Sequence, residues 1–65
     1  MYTYLVDYAI TTGHFGAMVH RSRKFVSIIG DSETEALSAL KRQLNGLWKS
    51  YGDDADVIIL DMKKV

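Results

Sequence analysis

The spacing of the apolar residues changes at Gly30, and this change constrains the fold more than any other feature of the chain. Before Gly30, apolar and polar residues alternate, which is the period of a strand with one buried face. After Gly30, apolar residues recur every three or four positions, as in an amphipathic helix. Those positions are Leu37, Leu40, Leu44, Leu47, Trp48 and Tyr51. The chain is therefore predicted to be an α+β protein with one helix.

The predicted helix has signals at both ends. Ser32 is followed three residues later by Glu35, which is the pairing of a capping box. Lys41 and Arg42 lie in its later part, where the helix dipole favours cations. Gly52 is suited to the left-handed conformation that ends many helices. These residues predict a helix that begins after Ser32 and ends at about Gly52.

Four segments are rich in β-branched and aromatic residues and predict strands. They span residues 2–10, 14–21, 25–29 and 55–62. Gly13 supplies turn chemistry for a hairpin between the first two, and the polar run 21–24 predicts a turn before the third. The predicted fold is a single small domain, residues 1–65, in the order β-β-β-α-β. One helix is expected on one face of a mainly antiparallel four-stranded sheet.

The last predicted strand has apolar residues on both of its faces, in the run from Val57 to Leu60. Such a strand is typical of the interior of a sheet. The helix before it is long enough to cross the sheet, which allows the strand to lie beside the first strand and parallel to a neighbour. The sequence alone leaves the strand order open.

Length and composition restrict the classes of function. A chain of 65 residues is near the lower limit for a single core without disulfides or metal, and this one has no cysteine. Eight Lys and Arg balance eight Asp and Glu, so no overall basic field attracts nucleic acid or a membrane. The amino-terminal residues lack a signal-peptide pattern and no apolar run is long enough to span a membrane. We therefore expect a complete small cytoplasmic protein.

No residue pattern predicts a catalytic, metal or cofactor site. His14 and His20 are separated by six residues of a strand, which is about 20 Å and too far for one metal ion. Asp53 and Asp54 lie in a loop without the ligand spacing of a calcium site. Gly13 has no helix start beside it to cradle a phosphate. The expectation is therefore a protein that is not an enzyme, with no cofactor and no metal.

One helix covers only one face of a sheet, so the other face needs an explanation. Two interpretations remain open: scattered surface tyrosines, which are ordinary, or a contiguous apolar patch used for a homodimer or for a partner protein. The candidate partner-binding residues are the tyrosines of the first strand and the cations of the predicted turn. They are Tyr2, Tyr4, Tyr8, Arg21, Arg23 and Lys24.

Residues 30–37, Gly-Asp-Ser-Glu-Thr-Glu-Ala-Leu, place a capped helix directly after a strand that ends in glycine. With the order of elements, this segment resembles the HicB-like antitoxin domain. Small phage-encoded inhibitor proteins are similar, since they often pair a tiny strand-and-helix domain with an adhesive edge or loop. Both resemblances imply an accessory protein of a phage or prophage that binds another macromolecule, such as a toxin or a host enzyme.

Three functional hypotheses follow. The first is a non-enzymatic protein-binding module, homodimeric, that inhibits or neutralises a partner protein. The alternative is a small nucleic-acid-binding protein that uses the basic turn 20–24 for phosphates and the sheet-face tyrosines for bases. The third is a small enzyme that uses His14 or His20, which would need a cleft that so small a core can barely form.

Overall fold

In the described part of the chain, three strands and one α-helix follow one another in the order β-β-α-β. The computed structural model describes residues 1–13 and 16–65, and His14 and Phe15 lie outside the described residues. The elements are β1 (Tyr2–Thr12), β2 (Ala17–Ile28), α1 (Glu33–Leu44), a 3-10 helix (Leu47–Tyr51) and β3 (Asp56–Lys64). Within this part of the chain no helix is both long and apolar enough to span a membrane.

The sheet has the order β2-β1-β3, and both pairs of strands are antiparallel. β1 is therefore the central strand, while β2 and β3 are the two edges. Each edge strand has one irregularity in its register with β1. Val19 is the extra residue in β2, because Ile10 is opposite His20 and Thr11 is opposite Met18. Leu60 is the extra residue in β3.

The prediction of four strands is wrong. Residues 14–21 and 25–29 were expected as separate strands with a turn at 21–24, but β2 continues through that polar run. The reason is that the run contains no Gly, Pro, Asn or Asp to support a turn. β2 is an edge strand, and its side chains at residues 21–24 are all at least partly exposed. Polar and charged residues are tolerated at such positions, so the polar run does not interrupt the strand.

The predicted position of the last strand is correct in one respect and wrong in two. β3 does lie beside β1, but it is antiparallel to it and forms an edge of the sheet. The interior strand is β1, whose two faces are both substantially buried in its central part. Apolar residues on both faces of β3 reflect its contact with the helix on one side and an uncovered sheet face on the other.

The start of α1 is as predicted, but its end is not. The Ser32 hydroxyl accepts a hydrogen bond from the Glu35 N–H at 3.1 Å, while the Glu35 carboxylate accepts one from the Gly30 N–H at 2.8 Å. The helix ends at Leu44, because Asn45 adopts the left-handed conformation with φ of 51°. The apolar residues beyond it continue in the 3-10 helix rather than in α1.

The core lies between α1 and one face of the sheet. Four alternate residues of β1 and three residues of α1 contribute its centre, and all are buried. They are Tyr4, Val6, Tyr8, Ile10, Ala36, Leu40 and Leu44. We call the opposite surface of the sheet the open face; it comprises residues 3, 5, 7, 9 and 11 of β1 and the residues paired with them in β2 and β3.

Candidate protein-binding surface

The three candidate tyrosines are divided between the core and the surface. Tyr4 and Tyr8 face α1 and are buried, so they have no area available for a partner. The Tyr4 hydroxyl donates a hydrogen bond to the Asp31 carboxylate, which satisfies its polar group at the margin of the core. Tyr2 remains exposed, with the Lys64 Nζ 4.1 Å from its ring centroid. Only Tyr2 of the three is therefore placed to contact another molecule.

The three candidate cations lie in β2 instead of in a turn. Arg21 and Arg23 are paired with Ala9 and Asp7 and thus belong to the open face. Lys24 is paired with Val6 and belongs to the helix side of the sheet. Both arginines are exposed and Lys24 is partly exposed. The strand thus presents cations on both of its sides.

An ion pair stands at the centre of the open face. The Arg21 guanidinium donates to both oxygens of Asp7, from Nε at 3.2 Å and from its terminal nitrogen at 2.8 Å. This hydrogen bond, with the positive charges of Arg21 and Arg23, holds the pKa of Asp7 below its ordinary value. Beside the pair, Asp7 and Arg23 line a crevice of about 110 Å³ together with Leu5, Asp61 and Lys63.

Apolar side chains flank these charges. Phe25 has 63% of its surface exposed although it lies within a strand, and Met18 and Ile58 are also exposed. All three belong to the open face, because they are paired with Leu5, Thr11 and Ala9. Sequence reasoning missed Phe25 as a surface residue. The signal was the period-two series Arg21, Arg23, Phe25, which puts the aromatic ring on the same side as the two arginines.

The outer edge of β2 exposes backbone groups as well as side chains. The Thr3 carbonyl accepts from the Val65 N–H at 2.9 Å, so the odd-numbered residues of this part of β1 direct their backbone groups toward β3. Their partners in β2 must then direct their own groups outward. The Phe25 carbonyl does so, since it accepts from the Gln43 side-chain amide at 3.0 Å. We define the β2 edge as the outward backbone groups of residues 21, 23, 25 and 27.

A groove of about 450 Å³ lies next to the β2 edge, between the end of β2 and α1. Its apolar lining comes from Met1, Ile28, Ile29 and Ala39, and Arg42 and Glu35 add charges of opposite sign. Ile29 is 81% exposed and adds an accessible aliphatic side chain to this lining. Most of its lining is on the helix side of the sheet, and Ser27, the partner of Thr3 on the open face, lines it where the two surfaces meet at the β2 edge.

The residues considered for catalysis are not brought together. His20 is exposed, with ring centroids of Tyr8 and Tyr51 each 6.2 Å from its own, while His14 lies outside the described residues. Among residues 1–13 and 16–65, no three His, Asp or Glu side chains form a group that could hold a metal ion. Asp54 has a structural contact, because its carboxylate accepts a hydrogen bond from the Gly13 N–H at 2.8 Å.

Comparison with family models, with curated proteins and with solved structures finds no match for this chain. Its function must therefore be argued from the open face, the β2 edge and the groove.

Proposed function

We propose that this protein is a non-enzymatic binding module that docks on another protein through its open face and inhibits it, as an antitoxin or a phage-encoded inhibitor does. The observation that carries the proposal is the exposure of Phe25 on a sheet face that no other element of the described chain covers. Aromatic residues that are exposed among charged neighbours are typical anchors of protein interfaces. The surrounding charges give such an anchor a polar rim.

The arrangement of charge on the open face also suits a protein partner. Asp7 and Asp61 lie among Arg21, Arg23 and Lys63, so the face has charges of both signs. A mixed surface of this kind selects its partner by complementary charges and rejects partners with like charges opposite them. The Asp7–Arg21 pair is already formed in the free protein, which lowers the cost of ordering these side chains on binding.

The proposal is tested by a photo-reactive amino acid placed at Phe25, with the same amino acid at Ser38 on the exposed side of α1 as control. The full chain is expressed in its host, irradiated, and the covalent product is identified by mass. We expect a specific protein product from position 25 and none from position 38. The captured protein is then purified, and its activity is measured with and without this chain.

Leu47 provides a matched control for the role of Phe25, because it is an apolar residue with the same 63% exposure in the 3-10 helix. Replacing Phe25 with Ser is expected to weaken binding of the captured protein by roughly tenfold or more, as for a central aromatic anchor. Replacing Leu47 with Ser should leave the affinity unchanged. Equal affinities of the two variants would contradict the proposal.

Binding of single-stranded nucleic acid is a second candidate, favoured by the series Arg21, Arg23, Phe25 on an open sheet face. Basic residues and an exposed ring are the components of such sites. Asp7 and Asp61 oppose it, since they place negative charges where phosphates would approach. Fluorescence anisotropy with labelled single-stranded RNA and DNA tests for this function. A nucleic-acid-binding protein should bind these probes with an affinity that falls steeply as the salt concentration rises. Lack of binding at low salt excludes it.

A further inference from the structure

We propose that the β2 edge receives an extended acidic segment of the partner protein, which adds to the sheet as a further strand. This inference rests on the proposed function, because it names the part of the partner that is recognised. Strand addition of this kind obtains affinity from backbone hydrogen bonds and specificity from alternate side chains. The backbone, the charges and the groove each support it separately.

The β2 edge is a regular template for another strand. Pairing with β1 is uninterrupted from His20 to Ile28, since the irregularity at Val19 lies before this stretch. The Phe25 carbonyl accepts a hydrogen bond from the Gln43 side-chain amide, so an added strand must displace that exposed side chain to pair with this carbonyl. Among the described residues, no intramolecular hydrogen bond engages the outward N–H groups of residues 21, 23, 25 and 27. These groups are spaced so that an added strand can pair with them.

The β3 edge is a poorer template, which makes the two edges distinguishable. Its pairing is interrupted by the extra residue Leu60, and such bulges turn an edge away from further strands. Its outward Val57 N–H is already engaged by the Asp56 carboxylate at 2.8 Å. Asp56 is held there by Lys41 at 3.0 Å. We therefore assign strand addition to β2 alone.

The charges of β2 indicate that the added segment is acidic. The strand contains Arg21, Arg23 and Lys24 and no Asp or Glu. Asp7 compensates Arg21, but within the described part of the chain neither Arg23 nor Lys24 belongs to an ion pair. Pairing of β2 with β2 of a second copy would bring these cations together, which is destabilising. An acidic segment would instead place opposite charges across the new pair of strands.

The groove indicates which side chains of the added segment would face α1. A strand added about 4.8 Å outside β2 would direct alternate side chains toward the open face and toward α1. The first set would lie beside Arg21 and Arg23, which suits Glu or Asp. The second set would point toward the groove at Ile28, Ile29 and Ala39, which suits Val, Ile or Leu. The inferred ligand is thus an extended segment in which acidic and aliphatic residues alternate.

The test uses the full chain labelled with ¹⁵N and a synthetic peptide of about nine residues that alternates Glu and Val, the length of a typical strand. A peptide that alternates Lys and Val is the charge control. We expect the Glu peptide to slow hydrogen exchange of the outward Arg21, Arg23 and Ser27 amides by roughly tenfold or more. The outward Met62 amide of β3 should not change. The Lys peptide should have no effect at the same concentration.

Proline variants locate the binding edge. Arg23→Pro removes an N–H that faces away from β1, so the hydrogen bonds between β1 and β2 are kept. Met62→Pro makes the same change on β3 and is the matched control. R23P is expected to abolish binding of the Glu peptide and M62P to preserve it. The double variant Arg23→Glu with Lys24→Glu keeps every backbone group and should also abolish binding, so the test does not depend on a folded R23P.

Equal protection by the two peptides, or chemical-shift changes without slowed exchange of the outward amides of β2, would overturn the inference. So would a captured partner that binds R23E/K24E as tightly as the unmodified protein, although the proposed function would then still hold. Failure to capture any partner would count against the proposed function only, because the peptide measurement does not require one.

Discussion

Asp7 is the residue on which the open face depends most. Its side chain is only 14% exposed, and its carboxylate is bound by two nitrogens of Arg21. Without Arg21, Asp7 would be a partly buried carboxylate between Leu5 and Ala9 along β1, with Arg23 opposite it in β2. The residues of β1 on either side of Asp7 are buried or partly buried. The ion pair with Arg21 compensates the Asp7 charge at this largely enclosed position in the middle of the strand.

The lowered pKa of Asp7 predicts a loss of stability in acid. A carboxylate whose pKa is lower in the folded than in the unfolded chain contributes stability that is present above its ordinary value of 3.8 and is lost as the pH falls through the folded value. Asp56 contributes in the same direction through Lys41. We expect D7N to unfold at a lower temperature at neutral pH and to lose less stability below about pH 4.

Thermal unfolding of both proteins, followed by circular dichroism from neutral pH to strong acid, measures this difference. The control is D53N, which removes an exposed loop carboxylate that has no ion pair among the described residues. Identical pH profiles for D7N and the unmodified chain would show that the Asp7–Arg21 pair contributes nothing to stability.

At this scale, alternation along β1 correctly predicts which tyrosines share a side, but it does not predict which side α1 covers. Alternation correctly grouped Tyr4 and Tyr8 with Val6 and Ile10, and these residues are buried together. The other side of β1 also contains apolar residues, Leu5 and Ala9, so alternation could not identify the side that α1 covers. Only the packing of the helix decides that tyrosines belong to the core and Phe25 to the surface.

At the scale of elements, the break between α1 and the 3-10 helix positions Trp48 against the margin of the core and leaves Tyr51 exposed. Asn45 and Gly46 are both left-handed, with φ of 51° and 76°. The Asn45 N–H caps the helix by donating to the Lys41 and Arg42 carbonyls at 3.2 and 3.1 Å. After the break, Trp48 lies under two ammonium groups, with the Lys41 Nζ 5.0 Å from its ring centroid.

Gly46→Ala is expected to destabilise the protein by about 1 kcal/mol, because a left-handed backbone is strained for a residue with a Cβ. The space around Gly46 is open, so the cost is one of backbone conformation and not of contact. Asn45→Gly replaces the neighbouring left-handed residue with glycine, which adopts this conformation without strain, so this variant should not be less stable. Urea unfolding of both variants measures the difference. A G46A protein as stable as the unmodified one would contradict this explanation of the helix end.

The elements themselves were only partly predictable. The helix start was correct because Ser32 and Glu35 act locally, within a few residues of each other. The helix end was missed because Leu47, Trp48 and Tyr51 keep helical spacing across a break that Asn45 and Gly46 make. The extra turn was predicted at 21–24 from polarity alone, whereas an exposed edge strand accepts polar residues. Which strand forms an edge is a tertiary property that no local pattern reveals.

On the scale of the whole molecule, the described residues include no fourth strand and no second helix layer, and this leaves two surfaces without a partner. Among residues 1–13 and 16–65 the sheet has three strands and α1 covers one of its faces, so both the β2 edge and the open face meet solvent. A chain of 65 residues has little further surface that it could bury in its own core. Phe25, Met18 and Ile58 are the large apolar side chains that this open face leaves exposed.

The homodimer expected from the sequence remains a prediction, and the charges of the open face predict that self-association through this face is weak. Two copies packed face to face would bury Phe25, but they would also have to remove water from Asp7, Arg21, Arg23, Asp61 and Lys63, and such desolvation offsets most of the gain. Light scattering coupled to size exclusion should therefore give the 7.3 kDa monomer at low micromolar concentration, with the mass rising only near millimolar concentration. F25S should remove that rise, and L47S should not. A stable dimer at low micromolar concentration would assign the open face to a second copy, and the hetero-partner would then have to bind at the β2 edge alone.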